Sequence, residues 1–265
     1  MKTVKQGDSG EEIAILNNAL TQAGYTVKDD LTFTPELRET VISFQQQQGL
    51  EPDGIVGYDT WEALLLGGES EATELVDEDF RRGAMLLDCE TAALRAVQEV
   101  ESGSCQGFVA PGKPTILFEG HIFWAQLKKR GIDPAEHAAQ NSDILYPTWN
   151  KGHYRGGIKE YDRLERARAI DREAADASAS WGMFQVMGFN FAACGEKSVE
   201  SFVAAMQQSA RSQLKLFVRF IYRGKLLPAL QRKEWATFAR YYNGPQYAQN
   251  HYDVKLAKAY SKYAR

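Results

Sequence analysis

Apolar side chains recur at helical spacing through most of the chain, and glycines cut the pattern into short segments. Ser9-Gly10-Glu11-Glu12 has the form of a capping box, and Ile13, Leu16 and Leu20 follow it until Gly24. Thr34-Pro35 opens a second helix, with Thr as N-cap and Pro at the first helical position; Leu37, Val41 and Phe44 form its apolar stripe. Asp53-Gly54-Ile55-Val56-Gly57 reads as a tight turn with a short apolar insert. Asp59 and Thr60 are then expected to cap a third helix carrying Trp61, Leu64 and Leu65. Three short helices in so few residues predict a small bundle over residues 1–66.

Gly67-Gly68-Glu69-Ser70-Glu71-Ala72-Thr73-Glu74 reads as a linker, taken over residues 67–79. The acidic run to Asp79 is a solvated hinge or a helix start. From about Phe80 to residue 265 a second, larger domain is predicted, again mostly helical. Asp88 is expected to cap a helix ending at Glu101, and Tyr161 to Ala179 reads as one charged helix. The longest predicted helix runs from Ser198 to Gly224, with Phe202, Val203, Met206, Phe217 and Ile221 on its apolar face. Another covers Trp235 to Tyr242 and stops at Asn243-Gly244-Pro245. Few runs alternate, so the fold class is mainly α.

Leu94, Val97 and Glu101 fall at i, i+3 and i+7, so the core-facing stripe of one helix ends on a carboxylate before Gly103. Desolvation and the negative end of the helix dipole both disfavour an ionised Glu there. Such a Glu stays protonated near neutral pH and can give a proton to a leaving-group oxygen, the general-acid role in glycoside cleavage. The alternative is a boundary Glu that reaches into water where its helix frays.

With 44% hydrophobic and 25% charged residues, the 265-residue chain has the composition of an ordinary globular protein. No apolar run is long enough to span a membrane, and the first residues show no signal-peptide h-region. Cys89, Cys105 and Cys194 are odd in number and at no metal spacing, so they read as reduced thiols. Residues 1–80 carry 17 acidic and 4 basic side chains (net −13), and the remainder 18 acidic and 27 basic (net +9). The basic part suggests an anionic partner, but its charges are scattered and no nucleic-acid-reading motif is present.

The first module resembles the peptidoglycan-binding domain found at the ends of many cell-wall hydrolases. The resemblance rests on Gly7-Asp8-Ser9-Gly10, Leu16…Leu20…Gly24, Thr40…Phe44-Gln45…Gly49-Leu50, Asp53-Gly54-Ile55-Val56-Gly57 and Thr60-Trp61…Leu64. It implies docking on wall polymer without chemistry. Tyr58, beside the glycine turn, is either a sugar-contacting aromatic or a packing residue.

In the second domain, Glu101-Ser102, Gly182-Met183-Phe184-Gln185 and Ala239-Arg240-Tyr241-Tyr242-Asn243 occur in the order seen in the lysozyme-like superfamily. More narrowly, Val100–Gly103, Gly112–Trp124 and Ser180–Gly188 are similar to the N-acetylmuramidase domain of modular phage endolysins acting on Gram-negative bacteria. The resemblance implies cleavage of the β-1,4 bond between N-acetylmuramic acid and N-acetylglucosamine, with Glu101 as proton donor and no cofactor. It further implies that Ser102, Gln185, Tyr241, Tyr242 and Asn243 line the glycan groove. Alternatively, Gln185 fastens a turn, the tyrosines pack between helices and Asn243 caps one.

A second carboxylate would complete either a retaining or an inverting pair. Glu119 is the candidate, after an apolar run and before aromatics; it could equally be a structural carboxylate. Asp171, Glu173 and Asp176 read as a solvated helix face with Arg168 and Arg172. Some superfamily members work with one Glu and are lytic transglycosylases that release 1,6-anhydro products. A metal-dependent amidase or peptidase is disfavoured, because the four histidines form no His-Glu-x-x-His pattern. A non-catalytic anchor would be indifferent to loss of Glu101. The expected partners are peptidoglycan and, through the basic surplus, outer-membrane lipopolysaccharide. A monomer held in the host cytoplasm until a holin releases it is also expected.

Overall fold

The structure, a computed structural model, describes residues 1–28, 30–68, 70–102, 107–244 and 247–264. The first module is built of α1 (Glu11–Gln22), α2 (Pro35–Gln47) and α3 (Tyr58–Leu66) around Leu16, Leu20, Val41, Phe44 and Trp61. Short bridges from Val4 to Val56 and from Ser9 to Thr32 close the bundle. Thr34 caps α2 as expected, accepting the Leu37 N–H at 3.2 Å. The other two caps differ from expectation. Gly10 and Gly57 stand at the N-cap positions of α1 and α3 and lend no side chain. Ser9 is drawn into its bridge instead, and Thr60 accepts a hydrogen bond from Gln45.

Gln45 fastens the Asp53–Gly57 turn. The two hydrogens of its buried amide nitrogen are shared among Asp53 Oδ1, the Ile55 carbonyl and Thr60 Oγ1, and its oxygen accepts from the Gly54 N–H at 2.9 Å. A fully paired buried amide fixes a turn that apolar packing alone would leave free to slide.

The second domain continues with α4 (Asp77–Leu87), α5 (Thr91–Ser102), β1 (Phe108–Ala110), β2 (Lys113–Pro114), β3 (Ile116–Phe118), α6 (Gly120–Lys129) and α7 (Ala135–Ala138). After a long loop come α8 (Lys159–Arg168), α9 (Arg172–Ala177), β4 (Ala179–Trp181) and β5 (Val186–Met187). The chain closes with α10 (Val199–Gln208), α11 (Ala210–Arg223), α12 (Leu227–Gln231), α13 (Trp235–Tyr242) and α14 (Tyr252–Tyr263). Strands β1 and β2 form an antiparallel pair, and β3, β4 and β5 a three-stranded antiparallel sheet with β4 in the centre.

Several boundaries differ from the sequence reading. The acidic run to Asp79 is a helix start: α4 begins at Asp77, and Asp79 accepts from the Val76 N–H at 3.0 Å. Asp88 caps the end of α4 in the left-handed conformation and is not the cap of α5. The charged helix is two helices, because Asp171 caps α9 by accepting the Ala174 N–H at 2.7 Å. The longest predicted helix is also two, divided at Ser209, whose extended backbone and hydroxyl start α11. Asp176 is no solvated residue; it is buried against Arg168 at 2.6 Å. The terminal helix α14 was not foreseen and packs along α5.

The two domains are docked. Glu62 on α3 is 3% exposed and is gripped by Arg219 of α11 through Nε at 2.8 Å and Nη2 at 2.6 Å. Tyr58 stacks on Tyr222 with ring centroids 3.8 Å apart, and its hydroxyl donates to Glu62. Tyr58 is therefore a packing residue in this arrangement. Ala72, inside the segment read as a linker, accepts the Ala210 N–H at 2.8 Å.

Candidate active site

Helix α5 carries Leu94 and Val97 into the core, both with no exposed surface, and one further turn brings Glu101 to its last positions. Gly103, the expected stop signal, lies outside the described residues, as does the side chain of Ser102. Against the end of α5 comes the end of α13, where Asn243 serves as C-cap, its N–H bonded to the Ala239 carbonyl. Asn243 Nδ2 donates to Glu101 Oε1 at 3.0 Å. The Asn243 Oδ1 is buried and has no hydrogen-bond partner among the described residues.

Glu101 is half-buried as a residue, but its carboxyl is shielded from water. Burial raises its pKa to about 7, against the opposing pull of the Asn243 hydrogen bond and the Lys255 ammonium. Burial also raises the Tyr242 and Tyr252 hydroxyls, and the nearby Glu101 charge adds to both. A carboxyl poised near neutrality, with one amide donor and no ion pair among the described residues, can hold a proton and release it within the same site.

Tyr242 is the hinge between this carboxyl and the sheet. Its ring stacks on Phe238 at 5.4 Å and stands edge-on to Phe217 at 6.0 Å, and its hydroxyl donates to the Phe184 carbonyl. It is packed between helices while bordering Glu101, whereas Tyr241 beside it is 54% exposed.

Gln185 follows Phe184 in the β4–β5 turn, in the left-handed region at φ 48°. Its Oε1 accepts from Ser180 Oγ at 2.7 Å, and its Nε2 donates to the Gly182 carbonyl at 2.8 Å and the Thr115 carbonyl at 3.3 Å. The amide thus braces the sheet beneath the site. Behind it, fully buried Gln213 accepts the Met183 N–H at 2.9 Å and donates to the Gly107 and Met206 carbonyls, each at 3.1 Å. One side chain therefore ties together the chain after Glu101, the hairpin and α10. Gly182 has φ 71°, and a Cβ there would lie 2.7 Å from the Gln213 Oε1. The sheet turn closes on Gln213 only because that Cβ is absent.

Glu119 belongs to a separate cluster. It lies past the end of β3, and its N–H donates to the Ser178 carbonyl at 3.0 Å. Gln185 touches Thr115 before the start of that strand, so the two positions are about 13 Å apart along it. Glu119 accepts a 2.6 Å hydrogen bond from the Tyr154 hydroxyl, with His121 Nδ1 at 3.4 Å.

Glu119 is held from below by a buried ion pair that nothing in the sequence reading marked. Glu160 and Arg163 are at most 1% exposed and meet at 2.7 Å. Glu160 accepts from the Phe118 N–H at 3.2 Å, and Arg163 donates to the Phe118 carbonyl at 2.9 Å. Their i, i+3 spacing on α8 was the available signal, but it is the same as that of a surface pair. Tyr252 and Lys255 were missed for a similar reason: they stand on α14, beyond the last motif considered. Among the described residues, no three His, Cys, Asp or Glu side chains gather as a metal site.

Residues 90–264 match the N-acetylmuramidase family, and residues 9–64 match a peptidoglycan-binding domain family. The crystal structure of Burkholderia AP3 phage endolysin is similar over 100% of both chains, with 40% sequence identity and a TM-score of 0.65. The muramidase match begins just before α5 and takes in Glu101, Glu119, Gln185 and Asn243. The chain belongs to the N-acetylmuramidase family and carries a peptidoglycan-binding domain ahead of its catalytic domain.

Proposed function

We propose that this glycoside hydrolase cleaves the glycan of peptidoglycan with Glu101 as general acid. The protonated carboxyl gives its proton to the bridging O4 as the C1–O4 bond breaks. The resulting carboxylate then faces an oxocarbenium-like centre on the muramic acid ring, and water supplies the hydroxyl at C1. The observation that carries this reading is the buried Glu101 carboxyl, poised near pH 7 and held by Asn243. The Asn243 Oδ1, buried and without a hydrogen-bond partner among the described residues, can accept a hydrogen bond from substrate or water.

Activity on purified peptidoglycan should therefore fall as pH rises through about 7, and Glu101→Gln should abolish it across the range. A Glu101→Gln protein retaining wild-type turnover would overturn the assignment. We propose Glu119, locked to Tyr154, as a residue that shapes the groove and not as the partner carboxylate of Glu101. A transglycosylase, in which the muramic acid 6-hydroxyl takes the place of water, is the second reading. It is favoured by the setting of Glu119, whose carboxylate is taken up by the Tyr154 hydroxyl at 2.6 Å with His121 Nδ1 at 3.4 Å.

On this reading the protein is a monomeric lytic enzyme of a phage infecting Gram-negative cells, kept in the host cytoplasm until a holin opens the membrane. The basic surplus of its second domain then meets lipopolysaccharide on the way out. Raised Mg²⁺ should suppress its action on intact cells but not on purified wall; equal suppression of both would remove the lipopolysaccharide contact.

A further inference from the structure

Of the five tryptophans, Trp149 alone is exposed, at 59%. An indole left in water is ordinarily mobile, but this one is fixed. Its Nε1 donates to the Tyr154 hydroxyl at 2.9 Å, and that hydroxyl in turn donates to Glu119 at 2.6 Å. The polar edge of the ring is satisfied within the protein, and its apolar faces remain available.

The loop presenting it is also fixed. Arg163 donates to the Asp143 carbonyl at 2.9 Å before Trp149, and Glu160 accepts the Gly156 N–H at 3.0 Å after it. The buried ion pair that supports Glu119 therefore clamps both ends of the loop. In the middle, the Tyr146 ring closes on Gly120, leaving no room there for a Cβ, and stacks on His153 at 4.6 Å. A long loop braced at both ends to hold one aromatic outward, beside a carboxylate, is a preformed recognition surface.

We propose that Trp149, with Glu119 and Tyr154 at its edge, is a sugar-binding subsite that stacks a pyranose ring of the glycan strand. A pyranose offers an apolar C–H face to an indole and hydroxyls to the neighbouring polar groups, which is the division of chemistry found here. A cationic ligand fits less well, because Lys151, Arg155 and Lys159 are exposed on the same stretch. The proposal rests on the glycan being the substrate, but it assigns Trp149 a positioning role separate from the Glu101 proton transfer.

The test is a tryptophan-fluorescence titration with N-acetylchitotetraose, run in Glu101→Gln so that the ligand is not consumed, alone and combined with Trp149→Ala. The oligosaccharide should change the emission with Trp149 present, and that response should disappear without it. On peptidoglycan, Trp149→Ala in the active protein should raise KM about tenfold while kcat stays within about twofold. Trp149→Tyr should recover part of the loss. No emission response in the parent, or an undiminished one in Trp149→Ala, would overturn the subsite. So would a fall in kcat at constant KM, which would mean that Trp149 only holds Tyr154 and Glu119. If Glu101 is not the acid, Glu101→Gln still cleaves peptidoglycan, which the activity assay reads, whereas the subsite is read by whether the initial emission change depends on Trp149, so the two readings fail separately.

Discussion

Burying Glu101 sets activity and stability against each other at a single residue. Its pKa is about 7 in the folded chain against an ordinary value of 4.5, so the folded chain binds the extra proton between those pH values. Stability from this group is complete below the lower value and is lost as pH rises through the upper one. Glu101→Gln should therefore match the wild type near pH 4 and exceed it by about 1–3 kcal/mol near pH 8, as read by thermal unfolding. An equal difference at both pH values would mean the carboxyl is not buried. Lys255 opposes the shift, so Lys255→Gln should move the alkaline limb of the activity profile upward, by less than about one unit. An unmoved limb would place the Lys255 charge too far away to matter. Glu101 was legible because its helix stripe announced it, and Asn243 because a motif did. Lys255 and Tyr252 had neither; their Tyr252–Leu256–Ala259–Tyr263 spacing was visible, but nothing in one sequence says that this helix returns to α5.

At the scale of elements, the helices were legible and their interruptions were not. Apolar periodicity runs past Ser209 with little loss of phase, so the break between α10 and α11 depends on one serine whose hydroxyl outcompetes the helix for the Ser212 N–H. Strands of two or three residues are too short for alternation to register, so the sheet under the site went unseen. Its stability depends on Gln213, a residue with no sequence signal at all. Gly182→Ala would force both an unfavourable φ and a 2.7 Å contact with Gln213, and should cost about 1–3 kcal/mol in urea denaturation. A variant as stable as the wild type would show that the turn has room to relax.

For the whole molecule, two domains were legible from composition and charge, but their docking was not. Glu62 and Arg219 are far apart in sequence, and each looks like an ordinary surface charge. In the fold, Glu62 is buried and depends on the Arg219 fork, with Lys215 more distant at 3.8 Å. Arg219→Ala leaves a buried carboxylate without its principal partner and should destabilise the docked arrangement by about 2–4 kcal/mol, discounted for the partial exposure of Arg219. In calorimetry one unfolding transition should broaden or split into two. An unchanged transition would show that the domains are held by other contacts.

The most direct measurement is mass spectrometry of the soluble fragments that wild type and Glu101→Ala release from purified Gram-negative peptidoglycan. The wild type should release muropeptides ending in reducing N-acetylmuramic acid, and the variant none. Anhydro-muramic ends would keep Glu101 as the acid but replace water with the substrate's own hydroxyl. Free peptides beside intact glycan, or an undiminished variant, would contradict Glu101 as the acid of a glycan-cleaving enzyme.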